Sequence, residues 1–192
     1  MIQKVPDIIN QNSEIVFVCE SPHIDELYHN YPLAGKSGRE MSKFLLGRYD
    51  LPLGYVAKTQ VLHTELSLKL FSVVNVSELP MQKSAYDVND QLPPENITLL
   101  SKLRKVKRLE VKHKDEELIN LRESLYLEFK NKCNKFSNNP LFVPCGNFAR
   151  AFCLRLNDEI GGLRIVNGIP HPAFGNWRKL TEQQLRVISI KS

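Results

Sequence analysis

Four short stretches of the chain carry the groups best able to do chemistry. Glu20-Ser21-Pro22-His23, Asn75-Val76-Ser77 and Gly146-Asn147 each end an apolar run, and His171-Pro172 follows a fourth. They supply a carboxylate, a carboxamide with one donor and one acceptor, and imidazole rings. Between the first two lies "PLAGKSG" (32–38), which places two glycines ahead of a helix-like segment. Ser37, with Glu40 three residues on, reads as a capping box, and such a helix start favours an anion such as a phosphate. "PCGN" (144–147) offers a different chemistry. A thiol at a strand-to-helix turn has a lowered pKa, so Cys145 with His171 would suit a hydrolase with a cysteine nucleophile.

Each group also has a plain structural reading. His171 before a proline is a possible turn residue, and Asn75 a turn or cap residue. Glu20 could cap a helix or pair with a lysine. His23 could be structural or solvent-facing. Phe174 and Trp177 could simply pack their loop onto the body. His29, His63 and His113 belong to no constellation and read as surface residues.

The elements that must position these groups follow from the pattern. "EIVFVC" (14–19) is a short apolar run rich in β-branched residues, as expected of a strand buried on both faces. Further strands are expected at 70–77, 140–146 and 163–169. Helices are expected at about 38–49, 56–69, 147–156 and 181–190, with "LPLG" (51–54) breaking the first pair. Residues 78–95 and 170–179 read as loops, the second exposed. A highly charged helical pattern covers 95–136. Its segment "KLRKVKRLEVKHK" (102–114) holds seven Lys or Arg, and suits either a solvated helix face or a phosphate-binding arm. Strands alternating with helices imply an α/β fold, a three-layer αβα sandwich around a mostly parallel four-stranded sheet. Ligands in such folds bind beyond the carboxyl ends of the strands, where all four stretches fall.

The chain has 192 residues and a net charge of +5. That length suits one domain, 1–192, with a charged helical insert at about 80–136. The mild positive charge permits a polyanionic partner without demanding one. Cys19, Cys133, Cys145 and Cys153 lack the spacing of a metal site and are expected to be reduced, so neither metal nor cofactor is expected. The first ten residues do not form a signal peptide, and no run approaches a membrane span. A cytoplasmic location without membrane contact is expected; the oligomeric state is left open.

Taken in order, the motifs resemble the uracil-DNA glycosylase superfamily. Cys19-Glu20-Ser21-Pro22 stands where the family has G-[EQ]-x-P, and 32–38 where one branch has P-F-x-G-x-A-G. "SVVNV" places Asn75 at the family's base-reading asparagine. "FVPCGNFARAF" fits the next strand-to-helix turn, and "PHPAFG" the final H-P-[SA]-x motif. The resemblance implies excision of uracil or another damaged or modified base flipped out of DNA. His171 would donate to the base oxygen as charge develops on it. Glu20 would orient the water, and Asn75 would read the base edge. Ser21, Pro22, His23, Leu33, Gly35 and Ser37 would surround the base or its phosphates. Phe174 would be the apolar wedge in the duplex, with Arg178 and Lys179 gripping backbone phosphates. Departures accompany the likeness. Cys19 replaces a glycine, Leu33 replaces the aromatic platform, and Ser21 replaces the aspartate of the best-known branch. The cysteines do not match the iron–sulfur branch, so no cluster is implied. A catalytically lapsed member that binds nucleic acid or a protein partner is the alternative these departures favour.

Overall fold

The computed structural model describes residues 4–86, 95–105 and 115–192. Its centre is β1, Ile15–Cys19, buried at every position. On one side β1 pairs with β2 (Phe71–Asn75), and on the other with β3 (Leu141–Pro144), which pairs in turn with β4 (Arg164–Ile165). All pairings are parallel, in the order β2-β1-β3-β4. A parallel strand covered on both faces has no polar side to show, which is why "IVFVC" contains no alternation.

Seven α-helices are described: α1 Ile24–His29, α2 Lys36–Leu46, α3 Leu53–Thr59, α4 Ile97–Arg104, α5 Glu116–Cys133, α6 Asn147–Ile160 and α7 Glu182–Val187. They cover both faces of the sheet. Val16, Val18, Val74 and Phe142 pack with Leu103, Phe129 and Phe152 of α4, α5 and α6. The alternate residues Ile15, Phe17, Val73 and Val143 pack with Met41 and Leu45 of α2 and Val56 of α3. The protein is therefore an α/β fold with a four-stranded parallel sheet between helices. Among the described residues, no helix is long and apolar enough to cross a membrane.

The register sets the functional edge. Cys19 lies opposite Asn75, and Val18 opposite Pro144, so β1, β2 and β3 end at one level. A buried ion cluster fixes the end of β2. Lys132 Nζ of α5 lies 2.9 Å from Asp7 Oδ2 and donates to the Asn75 carbonyl at 2.8 Å. Asp7 Oδ1 accepts the Asn75 N–H at 2.7 Å. Burial pushes the Asp7 carboxyl up in spite of the lysine, so this polar knot is held at a desolvation cost.

Several sequence expectations need correction. The first helix after β1 is α1, where the sequence pattern predicts no helix. α2 begins at Lys36 with Gly35 as its N-cap, and no side chain caps it, so Ser37 is in the first turn instead of at the cap. "LPLG" does not separate helices by breaking them; Pro52 is the N-cap of α3. α3 stops at Thr59, where Gln60 adopts a left-handed conformation, and turns replace the expected helix to residue 69. The loop 170–179 contains a 3-10 segment, Ala173–Lys179, that buries Trp177 completely. Trp177 Nε1 donates to the Pro170 carbonyl at 3.0 Å. His63 is half-buried instead of fully at the surface: its ring stacks on Phe71, and its Nε2 is buried. The stretch 106–114 of the basic run and residues 87–94 of the long loop lie outside the described residues.

Candidate functional site

A cavity of about 1050 Å³ opens beyond the carboxyl ends of β1 and β3. Its lining unites most of the residues singled out in the sequence: Glu20, Ser21, His23, Leu33, Gly35, Ser37, His171 and Phe174. Asn75, Pro22, Arg178 and Lys179 do not line it. Pro22 is buried, whereas Arg178 and Lys179 are exposed on the segment that follows Phe174.

His171 is fixed by its neighbours. Its Nδ1 accepts the Ala173 N–H at 3.1 Å. With Nδ1 occupied as an acceptor, a neutral ring carries its proton on Nε2, which then serves as a donor. Burial lowers the His171 pKa, Glu20 raises it and Arg104 lowers it further. The net shift is downward, which favours the neutral ring. Room for it comes from Gly146, the N-cap of α6 two residues past β3. Gly146 has φ 100°, and a Cβ there would come within 3.2 Å of the His171 Cβ. A side chain at this position would be strained and would press on the histidine.

Glu20 accepts from Arg104 Nε in an ion pair, so its plain reading as the partner of a basic side chain holds, with arginine in place of lysine. Its backbone carbonyl accepts the Ser77 N–H at 3.1 Å, extending the pairing of β1 and β2 past the strand ends. His23 is the N-cap of α1 and is exposed.

The wall formed by residues 23–35 depends on Glu26, which the sequence reading passed over. Its carboxylate accepts the His23 N–H at 2.6 Å and the Leu33 N–H at 2.5 Å. It thereby ties the start of α1 to the turn before α2. Leu33 has φ 55°, a left-handed conformation that is costly for a leucine, and its buried side chain lines the cavity. The Glu26 bond holds that turn in place. Burial raises the Glu26 pKa to about 7, against the lowering effect of its two backbone donors. A signal was present in the sequence: Glu26 stands three residues after His23, the spacing of a capping box with histidine in the first place.

The two glycines of "PLAGKSG" serve the chain's own packing. A Cβ on Gly35 would collide with the Asp25 carboxylate, and one on Gly38 with the Leu33 carbonyl. The close approaches they permit are of the α2 N-terminus to Asp25 of α1 and of its first turn to the Leu33 carbonyl.

Asn75 is fully buried, and neither Oδ1 nor Nδ2 has a hydrogen-bond partner among the described residues. It shares a sheet level with Cys19, which does line the cavity. A buried carboxamide without partners is rare, because leaving such groups unpaired costs about 1–3 kcal/mol. Phe174, by contrast, is 100% exposed, with φ 58°. Asn176 Nδ2 donates to the Ala173 carbonyl at 2.8 Å, and Trp177 anchors the base of this loop.

Cys145 lies outside the cavity lining. It is buried, and its thiol donates to the Val143 carbonyl at 3.6 Å. That placement gives no support to a cysteine nucleophile. All four cysteines are free and buried. Among the described residues, no group of three or more His, Cys, Asp or Glu side chains is arranged to hold a metal.

No family model matches the chain, and no curated protein matches it.

Proposed function

We propose that the protein is a DNA glycosylase with a uracil-DNA glycosylase-like fold, hydrolysing the N-glycosidic bond of a flipped uracil or another damaged or modified base. The observation that carries this reading is the state of His171. A neutral imidazole with Nδ1 engaged by Ala173 keeps an Nε2–H donor at a cavity beyond the strand ends. In the reaction, the bond between the sugar C1′ and the base nitrogen breaks, and its electron pair leaves with the base. The sugar passes through an oxocarbenium-like state. His171 donates a hydrogen bond to the base oxygen, where the charge accumulates. Glu20 orients the water that adds to C1′ and takes its proton.

The other residues have supporting parts. Asn75 carries an unpaired donor and acceptor, the complement of a pyrimidine edge. It would meet the base only if the floor at Cys19 yields to the ligand. Leu33 and Ser21 form walls, with His23 at the rim. The first turn of α2, at Gly35 and Ser37, offers backbone N–H groups to a phosphate. Phe174 fits the role of a wedge, and the exposed Arg178 and Lys179 that of phosphate contacts.

Two observations favour a second reading. Asn75 stands off the cavity lining, and Leu33 offers no aromatic stacking surface, as in a lapsed enzyme that binds nucleic acid without excision. A panel of labelled single-stranded and duplex oligonucleotides separates the two. The panel carries uracil, hypoxanthine, xanthine or 5-substituted pyrimidines and is treated with hot alkali after incubation. Strand cleavage at one base, lost in His171→Ala and Asn75→Ala, supports the glycosylase. Salt-sensitive DNA binding without cleavage supports the lapsed binder.

A further inference from the structure

The charged insert enters the cavity at one defined place. α4 ends at Arg104, whose Nε donates to Glu20 Oε1. The acid is the more enclosed partner: its side chain is 12% exposed, that of Arg104 37%. α4 is anchored firmly. Leu100 and Leu103 are buried in the core, and Ser101 Oγ donates to the Met81 carbonyl at 3.0 Å. The Met81 N–H in turn donates to Ser21 Oγ at 3.4 Å. The helix that carries Arg104 is thus fastened to the residue beside Glu20. Lys105 and Gln82 continue the same wall of the cavity.

An arginine held by such an anchor fixes the direction of the carboxylate it pairs with, since the guanidinium is planar and its donors are rigidly placed. Among the described residues, no hydrogen bond engages Glu20 Oε2. We propose that Arg104 is a positioning residue: it locks the Glu20 carboxylate through Oε1 and leaves Oε2 for the attacking water. The insert is then a wall of the working site. This inference rests on the reading of Glu20 and His171 as the reacting pair. The competing role for Arg104 is a phosphate contact, with Glu20 as a mere counter-ion that is displaced when DNA binds.

The two roles differ in the kinetic constant and the salt dependence that they change. Glu20 and Arg104 act on the His171 ring with opposite sign. An NMR titration of His171 in the free protein therefore reads the pair without any substrate. Removing the Arg104 charge raises the His171 pKa in Arg104→Ala, which shows in solution that the guanidinium stands at the site. Glu20→Gln lowers it, and Arg104→Lys stays close to the wild type. In single-turnover excision, Arg104→Ala lowers the rate of the chemical step by about ten- to a hundredfold, with KM for DNA little changed. Arg104→Lys recovers part of that loss. An unchanged rate of the chemical step in Arg104→Ala, together with a raised KM and a shallower salt dependence, overturns the proposal in favour of a phosphate contact. Arg104→Gln, which keeps most of the aliphatic stem, carries the test if Arg104→Ala does not fold. Absence of any excision by the wild type would remove the glycosylase reading, while loss of order at the Glu20 side chain in NMR relaxation of Arg104→Ala would still decide whether Arg104 fixes Glu20.

Discussion

Removing the charge of Glu26 tests how the cavity wall is held. Its carboxyl titrates at about 7, against an ordinary 4.5, because burial outweighs the two backbone donors. The folded-state pKa is raised, so the stability linked to this group is fully present below pH 4.5 and is lost as pH rises through 7. A shift of that size, at 1.36 kcal/mol per unit, corresponds to about 3 kcal/mol. Glu26→Gln keeps the shape and removes the titration. It also places an amide N–H against one of the two backbone donors, a penalty of about 1–3 kcal/mol that does not depend on pH. The assay is urea unfolding of both proteins at intervals from pH 4 to 8.5. Asp7, also raised, and His171, lowered, contribute equally to both curves and cancel in the difference. The stability difference between wild type and variant should therefore change by about 3 kcal/mol, with the wild type losing ground as pH rises from 4.5 to 7. Parallel curves would refute the claim that Glu26 is desolvated behind the Leu33 turn.

Three further outcomes are expected. Lys132→Ala leaves the Asp7 carboxylate buried without its cation and should cost about 3–5 kcal/mol in urea unfolding, with Asp7→Asn in the same chain recovering part of it. Gly146→Ala combines a positive φ with pressure on the His171 Cβ; it should destabilise by about 1–3 kcal/mol and move the His171 NMR resonances, whereas Gly161→Ala, with open space around it, should leave them in place. Phe174→Ala should leave stability within about 0.5 kcal/mol, since the ring touches solvent only, yet weaken binding to duplex DNA in a titration by fluorescence anisotropy.

β1 and β2 were legible because a parallel strand buried on both faces leaves a plain mark, the apolar runs "IVFVC" and "FSVVN", whereas the strand expected at 163–169 is reduced to Arg164–Ile165, with Arg164 exposed. Their carboxyl-terminal residues were legible for the same reason, since the polar groups begin where each run stops. The parts that were missed depend on tertiary contacts. α1 has only six residues, too short for a periodic pattern, and its cap residue is a histidine. α2 starts earlier than Ser37 suggests because Gly38, inside the first turn, lets the helix sit against the Leu33 carbonyl. Glu26 acts on the backbone of Leu33 seven residues away, and Arg104 reaches Glu20 from a helix 84 residues further along. Nothing local marks either pairing. Trp177 was open to two readings, and complete burial selects packing, while the exposure of Phe174 leaves it available at the cavity rim.

The central claim is that a neutral His171 helps a base to leave its sugar. The most direct measurement is chromatographic and mass-spectrometric detection of free base released from the oligonucleotide panel by the wild type, His171→Ala and Cys145→Ser. The account predicts one released base, a rate lower by about a hundredfold or more in His171→Ala, and no loss in Cys145→Ser. Wild-type protein that binds the oligonucleotides and releases no base, or a His171→Ala protein as active as the wild type, would contradict it.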